Sequence, residues 1–232
     1  ARSIELHLRG LEAMGATVDQ RDDEVEVSAL DLHGAQITLD FPSVGATENL
    51  LMAAVLADGT TVIDNAAREP EIQDLCRMLL TMGARIDGIG SPTLEIEGVE
   101  RLDGASWTTC PDRIEAGTYA MAAAVTGGDV VIERVRASDL RLPLIKLRAA
   151  GVVVEEGADS LRVKADELSA VDLVTLPYPG FPTDLQPQMM VLLTQAAGTS
   201  RFTENVFESR FSFVDELRRM GADVEIDGHH AL

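Results

Sequence analysis

Basic residues are scarce in this chain. Its 232 residues carry 19 Lys and Arg against 39 Asp and Glu, a formal net charge of −20. Nonspecific nucleic-acid binding and adhesion to anionic membranes both need a basic surface, so this balance argues against them. Aromatics make up only 4%, which leaves little material for stacking on single-stranded nucleic acid. Long apolar runs are missing too. The longest, residues 50–57, falls far short of the ~18 residues of a spanning helix. No secretory signal is expected, since the chain opens on the polar-patterned Ala1-Arg2-Ser3-Ile4-Glu5-Leu6. The two cysteines, Cys76 and Cys110, form no metal or redox motif, and a reducing cytoplasm is the simplest reading. His7, His33, His229 and His230 lack metal-ligand spacing, so no metal is expected. There is no P-loop, dinucleotide fingerprint or nucleophile elbow. With 46% hydrophobic residues, the chain can bury the core of one or two domains.

What is present is a long internal period. A helix ending in glycine reads Leu11-Glu12-Ala13-Met14-Gly15-Ala16 and returns at Gly83, Gly151 and Gly221, spacings of 68, 68 and 70. Gly59, Gly128 and Gly198, each before a short strand-like run, are spaced 69 and 70; Pro42, Pro111 and Pro182 are spaced 69 and 71. Three anchors agree on one period, longer than that of common solenoids, so each repeat holds several elements.

Every copy is expected to run alike. An amphipathic helix comes first and ends at a left-handed glycine. In the second copy Ile72, Leu75, Cys76 and Leu79 face inward, with Glu71, Gln73, Asp74 and Arg77 outside. Short alternating strands follow, such as Glu24-Val25-Glu26-Val27 and Leu94-Glu95-Ile96-Glu97. Next comes a helix of small or apolar residues nearly all round, over 46–57, 117–126 and 188–197, a pattern of enclosed helices. A strand closes the copy. Pro187 fits a first helical turn, whereas Pro143 is expected to kink or shorten its helix. The chain opens on a helix and closes just after a fourth copy begins, and is expected to be a piece of a longer protein.

The enclosed helices start at equivalent loops: Phe41-Pro42-Ser43-Val44, Cys110-Pro111-Asp112-Arg113-Ile114-Glu115 and Phe181-Pro182-Thr183-Asp184-Leu185-Gln186. Asp112 with Glu115, and Thr183 with Gln186, fit capping boxes. Helix starts also offer N–H groups and a positive dipole end to an anion. Asp184 follows its cap and has the chemistry of a general base toward a hydroxyl; the competing reading is first-turn stabilisation of ~0.3–1 kcal/mol. Arg2 has the chemistry of a phosphate or carboxylate clamp, against a solvated arginine at a helix start. Arg68 and Arg210 read as structural charge pairs or surface residues, and Cys76 as core.

At these residues the chain resembles the UDP-N-acetylglucosamine 1-carboxyvinyltransferase (enolpyruvyl transferase) family over essentially its whole length. The stretches that carry the likeness are Pro42-Ser43-Val44-Gly45-Ala46-Thr47-Glu48-Asn49, Asn65-Ala66-Ala67-Arg68-Glu69-Pro70-Glu71-Ile72, Pro111-Asp112-Arg113-Ile114-Glu115-Ala116-Gly117-Thr118, Pro179-Gly180-Phe181-Pro182-Thr183-Asp184 and Thr203-Glu204-Asn205-Val206-Phe207-Glu208. The resemblance implies an α/β fold, an inside-out α/β barrel of repeated βαβαββ units with an interdomain cleft. Residues 1–110 would be the latter part of one domain and 111–232 the first part of the second. It implies transfer of the enolpyruvyl group of phosphoenolpyruvate to the 3-hydroxyl of UDP-N-acetylglucosamine, in peptidoglycan precursor synthesis. No metal or organic cofactor is implied, and no nucleic-acid or membrane partner; the oligomeric state stays open.

By the same resemblance Arg2 contacts phosphoenolpyruvate and the nucleotide sugar. Arg2, Ser3, Ile4, Glu5 and Leu6 match a nucleotide-binding stretch, with Ser3 and Glu5 in place of the usual Pro and Asp. Phe41, Pro42, Ser43 and Val44 match the loop holding uridine and diphosphate. Asp184 matches the aspartate that binds and deprotonates the sugar hydroxyl, and Val206 a backbone contact to the sugar nucleotide. The family's Lys-Asn pair and its acid-bearing loop would precede Ala1, and further aspartate and arginines would follow Leu232, so these 232 residues alone are expected to be inactive. Two other readings stay open: the shikimate-pathway enolpyruvyl transferase, and a catalytically dead paralogue kept as a binding or regulatory module.

Overall fold

A computed structural model describes residues 4–22 and 24–232, so Arg2 and Ser3 lie outside the described residues. The chain forms two compact units, Ala1–Cys110 and Pro111–Leu232.

The first unit opens with α1 (Glu5–Ala13) and the hairpin β1 (Thr17–Arg21) and β2 (Glu24–Ser28). A full repeat follows: β3 (Gln36–Thr38), α2 (Val44–Ala54), β4 (Thr60–Asp64), α3 (Pro70–Thr81), β5 (Arg85–Asp87) and β6 (Thr93–Glu97). Its strands lie in the order β3-β4-β6-β5, with β3 parallel to β4 and the other pairs antiparallel. This is a βαβαββ repeat.

The second unit holds α4 (Arg113–Val125), β7 (Asp129–Glu133), α5 (Arg141–Ala149), β8 (Val153–Glu156) and β9 (Ser160–Lys164). Another full repeat follows: β10 (Leu173–Val174), α6 (Gln186–Leu193), β11 (Phe202–Thr203), α7 (Val214–Arg219), β12 (Ile226–Asp227) and β13 (His230–Ala231). Its order, β10-β11-β13-β12, reproduces that of the first unit. The strands after Gly221 therefore close a sheet begun at β10. In the middle repeat the order is β7-β9-β8. Residues 105–109, one period after β3, are irregular there. Trp107 Nε1 and the Cys110 N–H instead donate to Asp74 Oδ2, each at 3.1 Å.

The glycine anchors have one physical cause. Gly15, Gly83, Gly151 and Gly221 all adopt φ between 93° and 98°. At each, two reverse hydrogen bonds close the helix, as in Gly15 N–H to Glu12 O at 2.9 Å and Ala16 N–H to Leu11 O at 3.0 Å. A side chain there would meet left-handed strain, so the glycine marks each helix end. In the second series the left-handed residue of the middle repeat is Gly127 (φ 63°), one place before the expected Gly128.

Two apolar cores result, one per unit. In the first, Leu50, Leu51 and Ala54 of α2 meet Ile63, Ile72, Cys76 and Ile96. In the second, Ala120, Met121 and Ala124 of α4 join Leu185, Met189 and Leu192. The inner helices are less enclosed than their composition implies. Met52, Tyr119 and Val191 are 48%, 58% and 36% exposed. Asp74 also departs from expectation: it is buried, because it accepts the two donors from the 107–110 segment. Pro143 does not kink its helix. It occupies the first turn of α5, where a missing N–H has no intrahelical acceptor. Pro187 sits at the start of α6 in the same way. Among the described residues no helix is long and apolar enough to cross a membrane.

Candidate functional site

In the first unit the candidate residues gather at the starts of α1 and α2. Ile4 is the half-exposed N-cap of α1, and its carbonyl accepts from the His7 and Leu8 N–H groups at 3.0 and 3.2 Å. Glu5 and Leu6 form the first turn, and Leu6 packs on the core beside α2. Phe41, Pro42, Ser43 and Val44 are all partly exposed. Ser43 caps α2, its Oγ accepting from the Ala46 N–H at 3.3 Å. Thr47, fully buried, donates to Ser43 O at 2.8 Å and accepts from the Ala67 N–H at 3.0 Å. Helix geometry gives the Val44 and Gly45 N–H groups no acceptor within α2, so this end carries donors and the positive dipole pole. His7 joins the two helix starts. Its Nδ1 lies 2.7 Å from Asn49 Nδ2, and its Cε1 is 3.3 Å from where a Cβ on Gly45 would stand.

Carboxylates crowd the other side of this helix. Burial, then Glu71 and then Glu69 push the Glu48 carboxyl above the usual range. Cys76 is enclosed and is not a nucleophile: burial raises its thiol to about 11. Among the described residues no His, Cys, Asp and Glu cluster fits a metal ion.

In the second unit the two loop starts do not behave alike. Asp112 is a true cap of α4, accepting from the Ile114 and Glu115 N–H groups at 2.8 and 3.1 Å. Thr183 is not a cap. A 3₁₀ turn, Thr183–Leu185, precedes α6, and neither it nor α6 carries a side-chain cap. The Thr183 hydroxyl donates instead to Glu204 Oε2 at 3.0 Å, since a buried carboxylate is costly without donors. Gln186 does not complete a capping box. It is fully enclosed, and neither amide atom has a hydrogen-bond partner among the described residues.

Asp184 is half exposed, and its Oδ1 accepts from Arg210 Nη2 at 2.7 Å. The charge pair expected of Arg210 is therefore the one with Asp184. The Val206 N–H is occupied by Glu204 Oε1 at 2.8 Å, so only the Val206 carbonyl remains for a backbone contact to a ligand. Asp184 and Val206 are brought together through Arg210 and Glu204. No motif in the sequence marks Glu204, Arg210 or His7 as a site residue. Their spacing along the chain carries no motif; only the fold sets them beside Thr183, Asp184 and Asn49.

Comparison with known proteins bears on this arrangement. The family profile described as EPSP synthase (3-phosphoshikimate 1-carboxyvinyltransferase) matches residues 1–232. The UDP-N-acetylglucosamine 1-carboxyvinyltransferase of Halothermothrix orenii is 56% identical over 232 residues, all of this chain and 56% of that protein. The protein of the same name from Corynebacterium jeikeium is 54% identical over 233 residues, again 56% of its length. The chain thus spans little more than half the length of these relatives. Among solved structures, the enolpyruvyl transferase NikO of Streptomyces tendae superposes with a TM-score of 0.90 at 25% identity, covering 98% of this chain and 57% of that one. An EPSP synthase of Acinetobacter baumannii shares the fold, with a TM-score of 0.63 at 20% identity over 99% of this chain and 56% of that one. The fold is the α/β inside-out barrel fold of the enolpyruvyl transferases.

Proposed function

Because the chain belongs to the EPSP synthase (3-phosphoshikimate 1-carboxyvinyltransferase) family, we propose that the complete protein is an enolpyruvyl transferase acting on UDP-N-acetylglucosamine and phosphoenolpyruvate. It would work in the cytoplasm, in synthesis of the peptidoglycan precursor for the cell wall, growth and division. Residues 1–110 belong to one barrel domain and 111–232 to the other in this reading. The observation that carries it is identity above one half, along the entire chain, with relatives named for that activity.

The residues take the following roles. Donors at the start of α2, with Ser43 between Phe41, Pro42 and Val44, hold the diphosphate and uridine. Arg2 clamps an anionic group, and Ile4, Glu5 and Leu6 line the nucleotide beside it. The Val206 carbonyl meets the sugar. Asp184 accepts the proton of the 3-hydroxyl as that oxygen bonds to C2 of phosphoenolpyruvate, while an acid elsewhere in the protein protonates C3. The tetrahedral adduct then loses phosphate and a C3 proton, which restores the double bond on the sugar ether.

Calorimetry with UDP-N-acetylglucosamine and with shikimate 3-phosphate tests the substrate: binding of the first alone is expected, and binding of the second alone overturns the reading. Phosphate release from the complete protein tests the activity, and its absence would favour a binding module. The 232 residues alone are expected to release none.

A further inference from the structure

One hydroxyl braces the start of α2. Thr47, one turn into that helix, is fully buried. Its Oγ1 accepts from the Ala67 N–H at 3.0 Å, which turns its own proton toward Ser43 O, 2.8 Å away. The Ser43 carbonyl also accepts from the Thr47 N–H at 3.0 Å. Two donors thus fix one carbonyl. A carbonyl and the N–H that follows it share a rigid peptide plane, so the direction of the Val44 N–H is fixed as well. The turn that supplies Ala67 is tied to the same loop. Asn65, at φ 57°, donates through Nδ2 to Leu39 O at 2.8 Å, two residues before Phe41. One period on, α4 has no such brace: Ala116, which has no hydroxyl, stands where Thr47 stands. There the Asp112 carboxylate takes the Ile114 and Glu115 N–H groups, whereas Ser43 Oγ takes only that of Ala46.

We infer that Thr47 is a positioning residue for the nucleotide sugar, aiming the Val44 N–H at its diphosphate. This rests on the role given above to the start of α2. A helix end that receives an anion keeps its donors unspent, and unspent donors leave the first peptide planes loosely held. A side-chain acceptor on the Val44 N–H would hold that plane but close the donor to a ligand. The Thr47 hydroxyl holds the plane from its carbonyl side and leaves the donor open. Hydrogen bonds to charged groups are strong but weaken steeply off axis. A turned Val44 N–H therefore loosens the diphosphate, while proton transfer to Asp184 is unchanged. Loss of the Thr47 hydroxyl belongs in nucleotide affinity rather than in kcat.

The test uses the complete protein, with UDP as the calorimetric probe and both substrates in steady-state phosphate release. Thr47→Val keeps the shape and loses the hydroxyl. It is expected to raise the Kd of UDP and the KM of UDP-N-acetylglucosamine about tenfold, the low end for a hydrogen bond to a charged group. Both kcat and the KM of phosphoenolpyruvate are expected to stay within about threefold of wild type. Thr47→Ser keeps the hydroxyl and is expected to bind UDP within about twofold of wild type. A purely structural part would lower Tm without separating the nucleotide from phosphoenolpyruvate. A folded Thr47→Val with UDP affinity within about twofold of wild type overturns the inference. So does a loss in kcat alone, or a loss that Thr47→Ser shares in full, which would assign the effect to packing of the methyl group. If Thr47→Val does not fold, Asn65→Gly decides: it suits the left-handed turn, removes the tie to Leu39 and is expected to weaken UDP about threefold, and wild-type affinity there overturns the inference. The role of the α2 start is read separately, from the Val44 amide resonance of the wild-type protein. A shift on saturation with UDP is expected, and its absence overturns that role whatever Thr47→Val does.

Discussion

Ser43, Asp112 and Thr183 hold equivalent places in the period, yet each side chain has a different partner. Ser43 and Asp112 cap their helices; Thr183 serves a buried carboxylate. Their replacement should separate accordingly. Asp112→Ala is expected to cost ~1 kcal/mol, the usual worth of a lost cap. Thr183→Ala leaves part of a buried carboxylate unsatisfied and is expected to cost ~1–3 kcal/mol. Urea unfolding of both variants checks the order. Asp184→Ala should cost turnover far more than unfolding free energy, because its side chain is half exposed and caps nothing; a large drop in Tm with it would favour a structural role. Glu48 gives a signed pH effect. Its folded carboxyl holds the proton more tightly than an unfolded one would, owing to burial and to Glu71 and Glu69. Ionisation therefore opposes folding above the folded-state pKa, and that penalty fades as pH falls through it. Glu48→Gln is expected to raise Tm by about a degree or two near pH 7, with the gain shrinking as pH is lowered toward the carboxylate range.

At the scale of elements, the repeat was legible because backbone rules write it into composition. A left-handed helix end needs glycine, and an enclosed helix needs small apolar residues. Those two demands set the period, and the strands followed from alternation. What stayed hidden depends on long-range placement. Asp74 reads as a surface acid on a helix, and only the return of Trp107 and Cys110 to α3 buries it. The Asp184 and Arg210 pair spans 26 residues of chain and a loop of no regular pattern. Likeness to a family named Asp184 and Val206, but the contacts that hold them had no sequence signal. Gly98 is another hidden case. Nothing in the sequence sets it apart, yet a Cβ there would stand 1.7 Å from the Ala57 carbonyl oxygen. That oxygen belongs to the backbone between α2 and β4 and cannot swing aside. Gly98→Ala is therefore expected to lower stability by several kcal/mol, on the order of 3 or more, read as a fall in the urea midpoint with m unchanged.

The whole molecule sets a problem that no single residue solves. A chain with a formal charge of −20 is proposed to take two anionic substrates, so the general field repels what the site must hold. Attraction has to be local, from Arg2 and from the positive start of α2. At physiological ionic strength the screening length is about 8 Å. Distant carboxylates are therefore mostly muted, while a cation in contact keeps its force. The consequence is a sharp inequality between arginines of equal formal charge. Arg219 sits on exposed α7, paired with Glu216 at 3.0 Å, and contributes to the field only at a distance. Arg2→Ala in the complete protein is expected to lower kcat/KM at least 100-fold, the ~3 kcal/mol of a lost charge-assisted pair. Arg219→Ala is expected to stay within twofold. Low salt lengthens the reach of the surrounding acids, so reducing ionic strength should slow association of both substrates in either variant. Equal losses in the two variants would mean that net charge governs binding, and the site assigned to the helix starts would fall with that result.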